Sequence, residues 1–244
     1  LMTHDAQQIR RLVARGKQWD KVFVVIGLCC LMVGILTLAV LLAGLVHDGA
    51  GRLDWEFFTK FPSRRAEHAG ILSAMVGSSL VMLLTTLTAI PLGVAAGVYL
   101  EEYAKRNVVT EIIEINVNNL AGVPSIIYGL LALGLFVYAL DFGQSILSAG
   151  LTLALLILPV IIVATREAIR AIPSSIREGA YALGATRWQM VRDHIVPYST
   201  GGILTGVIIG LARAIGETAP IITIGALTFI AFLPESPIST QFPF

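Results

Sequence analysis

Two charged side chains lie inside the last hydrophobic stretch of the sequence. Arg213 and Glu217 interrupt the apolar segment Tyr198–Leu233 and are four residues apart, so on a helix they share one face within pairing distance. A charge at the centre of a bilayer costs about 2.5–3.5 kcal/mol even on a permissive insertion scale, and such residues face a bundle interior or water. The pair is therefore either a structural ion pair or the lining of a solute path. We favour the path, because apolar residues make a purely structural contact at lower cost.

Small residues repeat every four positions along the same segment. On a helix this spacing forms a smooth face that allows a second helix to approach closely, which a transport protein and a simple helix bundle both require. The last member of the row, Thr218, follows Glu217 directly, and we place it with Arg213 and Glu217 in the candidate path. The row consists of Gly202, Gly206, Gly210, Ala214 and Thr218.

A polar segment of the sequence, residues 166–197, precedes this stretch. Pro173 and Gly184 divide it into short amphipathic helices, and its length is large for a connection between two membrane spans. It is either a helix pair lying on the membrane surface or a docking element for a cytoplasmic partner. In a helical projection Ile176, Ala180 and Leu183 share one face, and Arg177 and Glu178 point elsewhere.

The composition places these segments in a membrane protein. Hydrophobic residues make up 56% of the 244 residues and charged residues only 14%, against about a quarter in soluble domains. The first apolar run, Val22–Val46, is uncharged for 25 residues and exceeds the roughly 7–15 residues of a signal-peptide core. We predict an all-α polytopic protein. Its five spans are Val22–Val46, Ile71–Leu100, Asn116–Leu140, Ser145–Thr165 and Tyr198–Leu233.

The distribution of lysine and arginine predicts the orientation. With the N-terminus in the cytoplasm, the inside segments hold twelve basic residues and the outside loops hold four. The predicted organisation is a cytoplasmic segment (1–21), a first transmembrane helix (22–46), a periplasmic loop (47–70) and a permease core (71–244) containing the cytoplasmic loop 166–197.

The polar segment carries a resemblance to a known motif. Glu178, Gly184 and Pro197 have the spacing of the EAA loop of ABC importer permeases, EAA-x3-G-x9-I-x-L-P. Three positions depart from that pattern: Gly179, His194 and Val196. The resemblance implies that this loop forms a coupling helix in a cleft of an ATP-binding subunit. The implied coupling residues are Arg177, Glu178, Gly179, Ala180, Leu183, Gly184 and Ala185.

Longer strings resemble the PstA-type permeases of phosphate importers. They include ARAIGETAP around Arg213, AGVPSIIYGLLALG and PLGVAAGVYLEEY. The resemblance implies a type I ABC importer fold in the inner membrane, with six spans, so that a sixth is expected to be missing from this sequence. It also implies three partners: a homologous PstC-type permease, a PstB-type ATPase dimer that binds ATP and Mg²⁺, and a PstS-type phosphate-binding protein.

Alternative functions remain at this stage. A sulfate or molybdate permease of the same fold is the nearest, and a secondary transporter or channel without an ATPase is more distant. A membrane enzyme is disfavoured, because the sequence shows no clustered acid, base or nucleophile, and no phosphate-binding loop or zinc-spaced Cys/His cluster. We therefore expect no cofactor, metal or nucleic acid to be bound by this chain.

Overall fold

The computed structural model describes residues 2–65, 68–105, 107–225 and 233, with the side chains of residues 2–16 and 18 left out. Over these ranges the chain forms helices, helical turns and loops, with no β-strand. It divides into two compact units, Leu1–Phe57 and Phe58–Phe244.

The first unit is dominated by one long helix. Helix α1 spans Met2–Gly49 and is followed by a 3₁₀ turn, Ala50–Arg52. Its apolar part is long enough to cross a membrane and includes the whole predicted first span. A short helix, α2 (Trp55–Thr59), follows at the junction between the units, with the Asp54 carboxylate accepting a 2.8 Å hydrogen bond from the Phe57 N–H.

Three further long helical stretches of the second unit are apolar enough to cross a membrane. The stretches Leu72–Tyr103 and Ile146–Arg170 are longer than the apolar runs that predicted them, because the helices continue past the uncharged residues. The third, Arg187–Gly216, begins before the predicted segment Tyr198–Leu233 and also ends before it does. Two of them contain π-helical turns, Tyr99–Tyr103 and Val191–Ile195. The helices concerned are α3 (Leu72–Val98), α6 (Ile146–Arg170), α8 (Arg187–Met190) and α9 (Val196–Gly216).

The third predicted span is not one straight helix. Helix α4 (Val108–Leu120) and helix α5 (Ser125–Ala132, extended by a π-helical stretch to Ala139) meet at an angle of 107°. Pro124 explains the break, because it lacks an N–H and disfavours the helical conformation of the residue before it. The carbonyl of Leu120 is not orphaned by the break, since the Val123 N–H and the Tyr128 hydroxyl both donate to it.

The fifth predicted segment is also divided. Helix α9 ends at Gly216, and a short helix, α10 (Ala219–Ile224), follows. In a continuous helix the ring of Pro220 would clash with the carbonyl of residue 216. Glu217, which was expected on the same helix as Arg213, therefore lies just past the end of α9. Residues 226–232 and the terminal sequence after Leu233 lie outside the described residues.

Helix α6 is the centre of the second unit and packs closely against α3 and α9. A Cβ atom at Gly97 of α3 would lie 2.6 Å from Thr165 Cβ, and one at Gly202 of α9 would lie 2.6 Å from Ala168 Cβ. At Gly206 the added atom would overlap the Ala164 side chain. The small-residue row of α9 therefore serves packing within this chain, where close approach replaces the hydrophobic effect that lipid does not supply.

The close packing of α9 on α6 predicts that two glycines of α9, Gly201 and Gly206, differ in how well they tolerate alanine. Gly206→Ala puts a methyl group into Ala164 and should lower the free energy of unfolding by about 1–3 kcal/mol, the usual cost of overpacking. At Gly201, a Cβ would meet no atom of the described chain within 4 Å, so Gly201→Ala should stabilise the helix slightly. Thermal unfolding of both variants in detergent measures the difference. Equal stability of the two variants would show that α6 and α9 do not approach this closely.

Candidate functional site

The Arg213/Glu217 pair forms at the break between α9 and α10. Arg213 Nε donates a hydrogen bond to Glu217 Oε1 at 3.2 Å. Glu217 is not on the helix itself: it follows the last helical residue, with φ −85° and ψ 116°. The side chain of Glu217 is 17% exposed and that of Arg213 is 36% exposed, so the pair is partly buried and still open on one side. Thr218, exposed, begins the turn into α10.

The start of α5 packs against the break between α9 and α10. Gly129 is buried against Pro220, where an added Cβ would lie 2.8 Å from Pro220 Cα and overlap the Thr223 hydroxyl. One residue earlier, Tyr128 is buried, and its hydroxyl donates to the Leu120 carbonyl at 2.8 Å. The bend between α4 and α5 and the bend between α9 and α10 therefore lie side by side.

This juxtaposition gives the region its chemical character. Two interrupted helices pack together here, with the guanidinium of Arg213 and the carboxylate of Glu217 at one break and the hydroxyl of Tyr128 at the other. Interrupted helices of this kind place polar backbone and charged groups at membrane depth, where transport proteins form solute sites. Tyr128 lies in the string AGVPSIIYGLLALG, and no role was predicted for it from the sequence. The signal for it was Pro124, which ends one helix and places Tyr128 in the first turn of the next.

Residues 166–197, the predicted coupling segment, are mostly helical. Helix α6 continues through Arg166 to Arg170, and after the turn at Pro173 helix α7 spans Ser174–Ala182. Gly184 has φ +81°, a left-handed conformation that glycine adopts without steric cost. Its N–H donates to the Tyr181 carbonyl at 2.9 Å, and the Ala185 N–H donates to the Ala180 carbonyl at 3.1 Å. This is the Schellman arrangement that ends a helix sharply.

The two faces of α7 differ from the helical projection in one respect. Ala180 is buried and Ile176 packs beside it, against a small apolar cluster. Leu183, which was expected on the same face, is 89% exposed, because the helix ends before it and the chain turns. With the half-exposed Tyr181, Leu183 forms an apolar projection at the end of α7. The cluster consists of Ile169, Ile172, Ala180, Met190, Val191 and Ile195.

Of the other predicted coupling residues, Glu178 and Gly179 are exposed and Ala185 is half-buried. Arg177 turns back into the bundle instead. Its guanidinium donates to Glu102 Oε1 from Nε at 3.0 Å and from Nη2 at 2.7 Å. It also donates to the carbonyls of Ile172 at 3.0 Å and Ile169 at 3.1 Å. Arg177 therefore fastens α7 to the rest of the chain, and its guanidinium is engaged within the chain itself.

A second group of charges lies beside this contact and was not found from the sequence. Arg166 is 3% exposed, and its Nη2 is 2.7 Å from Glu114 Oε1, an ion-pair distance rather than an aligned hydrogen bond. Its Nε is 3.6 Å from Glu101, which also accepts a 3.1 Å hydrogen bond from Arg170 Nε. Removing one member of a buried pair typically costs about 3–5 kcal/mol, so the cluster fixes α3, α4 and α6 to one another.

Comparisons with known proteins agree with this architecture. Residues 89–243 match the sequence profile of the family described as "Binding-protein-dependent transport system inner membrane component". The chain is 33% identical over 202 residues to the probable ABC transporter permease protein YqgI of Bacillus subtilis, covering 83% of this chain and 68% of that protein.

Two further matches carry more specific names or a solved structure. The phosphate transport system permease protein PstA of Yersinia pestis is 32% identical over 218 residues, covering 87% of this chain and 72% of that protein. Among solved structures, the inward-facing MetNI methionine ABC transporter matches with a TM-score of 0.54 and 21% identity. That alignment covers 64% of this chain and 73% of the MetNI chain, and it supports the fold.

The end of α7 yields a second pair of matched glycine variants. Gly184→Ala forces an alanine into a left-handed conformation and should destabilise the loop by about 1–2 kcal/mol. Gly179→Ala, within α7 and with open space around its Cβ in the described chain, should leave stability unchanged or raise it. The midpoint of thermal unfolding in detergent distinguishes them. A Gly184→Ala protein as stable as Gly179→Ala would contradict the turn geometry.

Proposed function

Because the chain belongs to the family of binding-protein-dependent transport system inner membrane components, we propose that it is the PstA-type permease subunit of an ATP-driven importer of inorganic phosphate. The family match covers residues 89–243, and PstA proteins of several bacteria match at 31–36% identity. The proposal that phosphate is the substrate rests on the partly buried Arg213, whose positive charge faces the break between α9 and α10. An anion such as phosphate is the natural ligand of a guanidinium in a site with little water.

The proposal includes a division of work among subunits. A homologous PstC-type permease would supply the other half of the path, and a PstS-type protein would deliver phosphate from outside. A PstB-type ATPase dimer would bind and hydrolyse ATP with Mg²⁺, so this chain would need no cofactor of its own. We place the N-terminus in the cytoplasm on the distribution of basic residues, which puts the loop 166–197 on the side of the ATPase.

The exposed end of α7 suits docking to that ATPase. Leu183 and Tyr181 offer an apolar projection of the kind that anchors a small interface, and Glu178 offers a charge-assisted contact beside it. The alternative, a helix pair resting on the membrane surface, is less consistent with Leu183 and Glu178 being exposed together at the end of one short helix.

Within the path, Arg213 and Glu217 would have opposite effects on the anion. Arg213 attracts phosphate, and Glu217 holds the guanidinium in place and neutralises part of its charge. A transported anion must also leave, so a site with an unopposed arginine would release it slowly. The pair therefore acts either as a weak binding site or as a gate that opens when phosphate replaces Glu217 as the partner of Arg213.

The charge of Arg213 is tested in the complete complex reconstituted with its ATPase and binding protein. Arg213→Ala should reduce the rate of phosphate uptake at least tenfold, since an anion loses a charge-assisted contact of about 1.5–3 kcal/mol. Arg213→Lys should retain part of the uptake, because the charge persists without the planar fork. Radiolabelled phosphate uptake into proteoliposomes measures both.

The matched control for this experiment is Arg64→Ala. Arg64 is exposed and lies outside both the α9–α10 break and the segment 166–197, so its loss should leave uptake near normal. Normal uptake by Arg213→Ala would remove Arg213 from the path.

A further inference from the structure

One π-helical turn contacts three successive elements of the coupling segment. In Tyr99–Tyr103, which extends α3, Glu101 contacts Arg166 and Arg170 of α6. The next residue, Glu102, accepts the two hydrogen bonds from Arg177 of α7.

The third contact of this turn reaches α8. The ring of Tyr103 lies under the guanidinium of Arg187, with 5.2 Å from Arg187 Cζ to the ring centroid. The turn is closed by a hydrogen bond of 2.8 Å from the Ala104 N–H to the Tyr99 carbonyl, the wider spacing of a π-helix. Such turns are rare and occur often at functional sites, because the extra residue redirects neighbouring side chains. Glu101, Glu102 and Tyr103 thus point to three different helices.

The contact to α7 is the most restrictive of the three. Glu102 is 6% exposed, and the planar guanidinium of Arg177 spans Glu102 and two carbonyls at the end of α6. Arg177 therefore ties α7 to both α3 and α6. With those hydrogen bonds in place, α7 cannot tilt about the turn at Pro173 without moving the end of α3.

The end of α3 is in turn fixed to α6. Gly97 lies against Thr165, and Gly93 lies against Ile161, where an added Cβ would be 2.7 Å from Ile161 Cγ2. Helices at this separation move together, because closely packed interiors transmit displacement rather than absorb it. A force on α7 therefore reaches two of the long helices of the second unit through one side-chain pair.

We propose that Glu102 is a positioning residue for energy coupling: through Arg177 it joins the coupling helix rigidly to α3 and α6, so that movement imposed by the ATPase reaches the solute path. This inference rests on the proposed function, because it assumes an ATPase partner at α7. Glu102 acts through Arg177, and no contact with solute or nucleotide is proposed for it. Removing the charge of Glu102 should lower the amount of phosphate transported per ATP hydrolysed. Binding of ATP to the ATPase and binding of phosphate should both persist.

The test uses the complete complex with its ATPase and binding protein in proteoliposomes. Glu102→Gln keeps the size of the side chain and removes the charge that Arg177 binds. We expect ATP hydrolysis to continue while the amount of phosphate moved per ATP falls about fivefold, the lower end of typical coupling between sites. The control Asp48→Asn removes a carboxylate charge from an exposed side chain of α1, outside the segment 166–197, and should leave the ratio unchanged. An unchanged ratio in Glu102→Gln overturns the proposal.

A second variant tests the proposal even if the Glu102→Gln complex does not assemble. Arg177→Lys keeps the charge beside Glu102 but cannot make the fork that also reaches the Ile169 and Ile172 carbonyls. It should assemble and show the same fall in phosphate per ATP. A normal ratio in Arg177→Lys also overturns the proposal.

A measurement that needs no transported solute tests the role of Glu102 independently of whether phosphate is the substrate. Binding of a non-hydrolysable ATP analogue to the wild-type complex should change amide hydrogen exchange at residues 94–103, and Glu102→Gln should abolish that change. If wild-type complex moves no phosphate, the proposed substrate is wrong, and the exchange result still decides the role of Glu102. An exchange response that persists in Glu102→Gln contradicts it.

Discussion

Each charge carried into the apolar interior of this protein must meet an opposite charge there, and the arrangement of the second unit follows from that constraint. Arg213 contacts Glu217, Arg166 contacts Glu101 and Glu114, and Arg177 contacts Glu102. Where little water is available, an unpaired charge costs several kcal/mol, so these pairs restrict which helices can separate. Three of these four contacts join different helical elements. Movement within the protein must therefore either keep these contacts or exchange them for others.

Close helix packing brings the charged groups into register. Helix α6 approaches α3 at Gly93 and Gly97 and approaches α9 at Gly202 and Gly206. The π-helical turn that extends α3 and the end of α6 carry the charged groups near the segment 166–197. The end of α9 carries the Arg213/Glu217 pair. Within the described part of this bundle, the helices are interrupted between α4 and α5 and between α9 and α10. Those breaks are where a solute path and a conformational change would be expected to coincide.

Much of this architecture is predictable from the sequence because it depends on local rules. Apolar run length predicts the spans, and the comparisons confirm the all-α importer fold. The spacing of Arg213 and Glu217 predicts their contact, although Pro220 ends the helix before Glu217 and alters its geometry. Gly184 predicts a turn because a left-handed residue at that point favours glycine. The roles of these residues in transport and coupling stay predictions.

Contacts between distant segments were not predictable in the same way. Glu102 and Arg177 are 75 residues apart, and one sequence does not indicate which of several acidic residues an arginine will meet. The helical projection placed Leu183 on the buried face, because it assumed that α7 continues one turn further than it does. The bend at Pro124 was also missed, since proline occurs within unbroken spans as well, as Pro91 and Pro159 do in α3 and α6.

The central claim, that this chain forms half of an ATP-driven path for phosphate, is tested most directly by transport in a defined system. The wild-type complex, with its second permease, ATPase and binding protein, is placed in proteoliposomes with ATP available to the ATPase, and uptake of radiolabelled phosphate is followed. Phosphate accumulation should require ATP and should be unaffected by excess sulfate or molybdate. Uptake that proceeds without ATP, or that sulfate or molybdate abolishes, would contradict it.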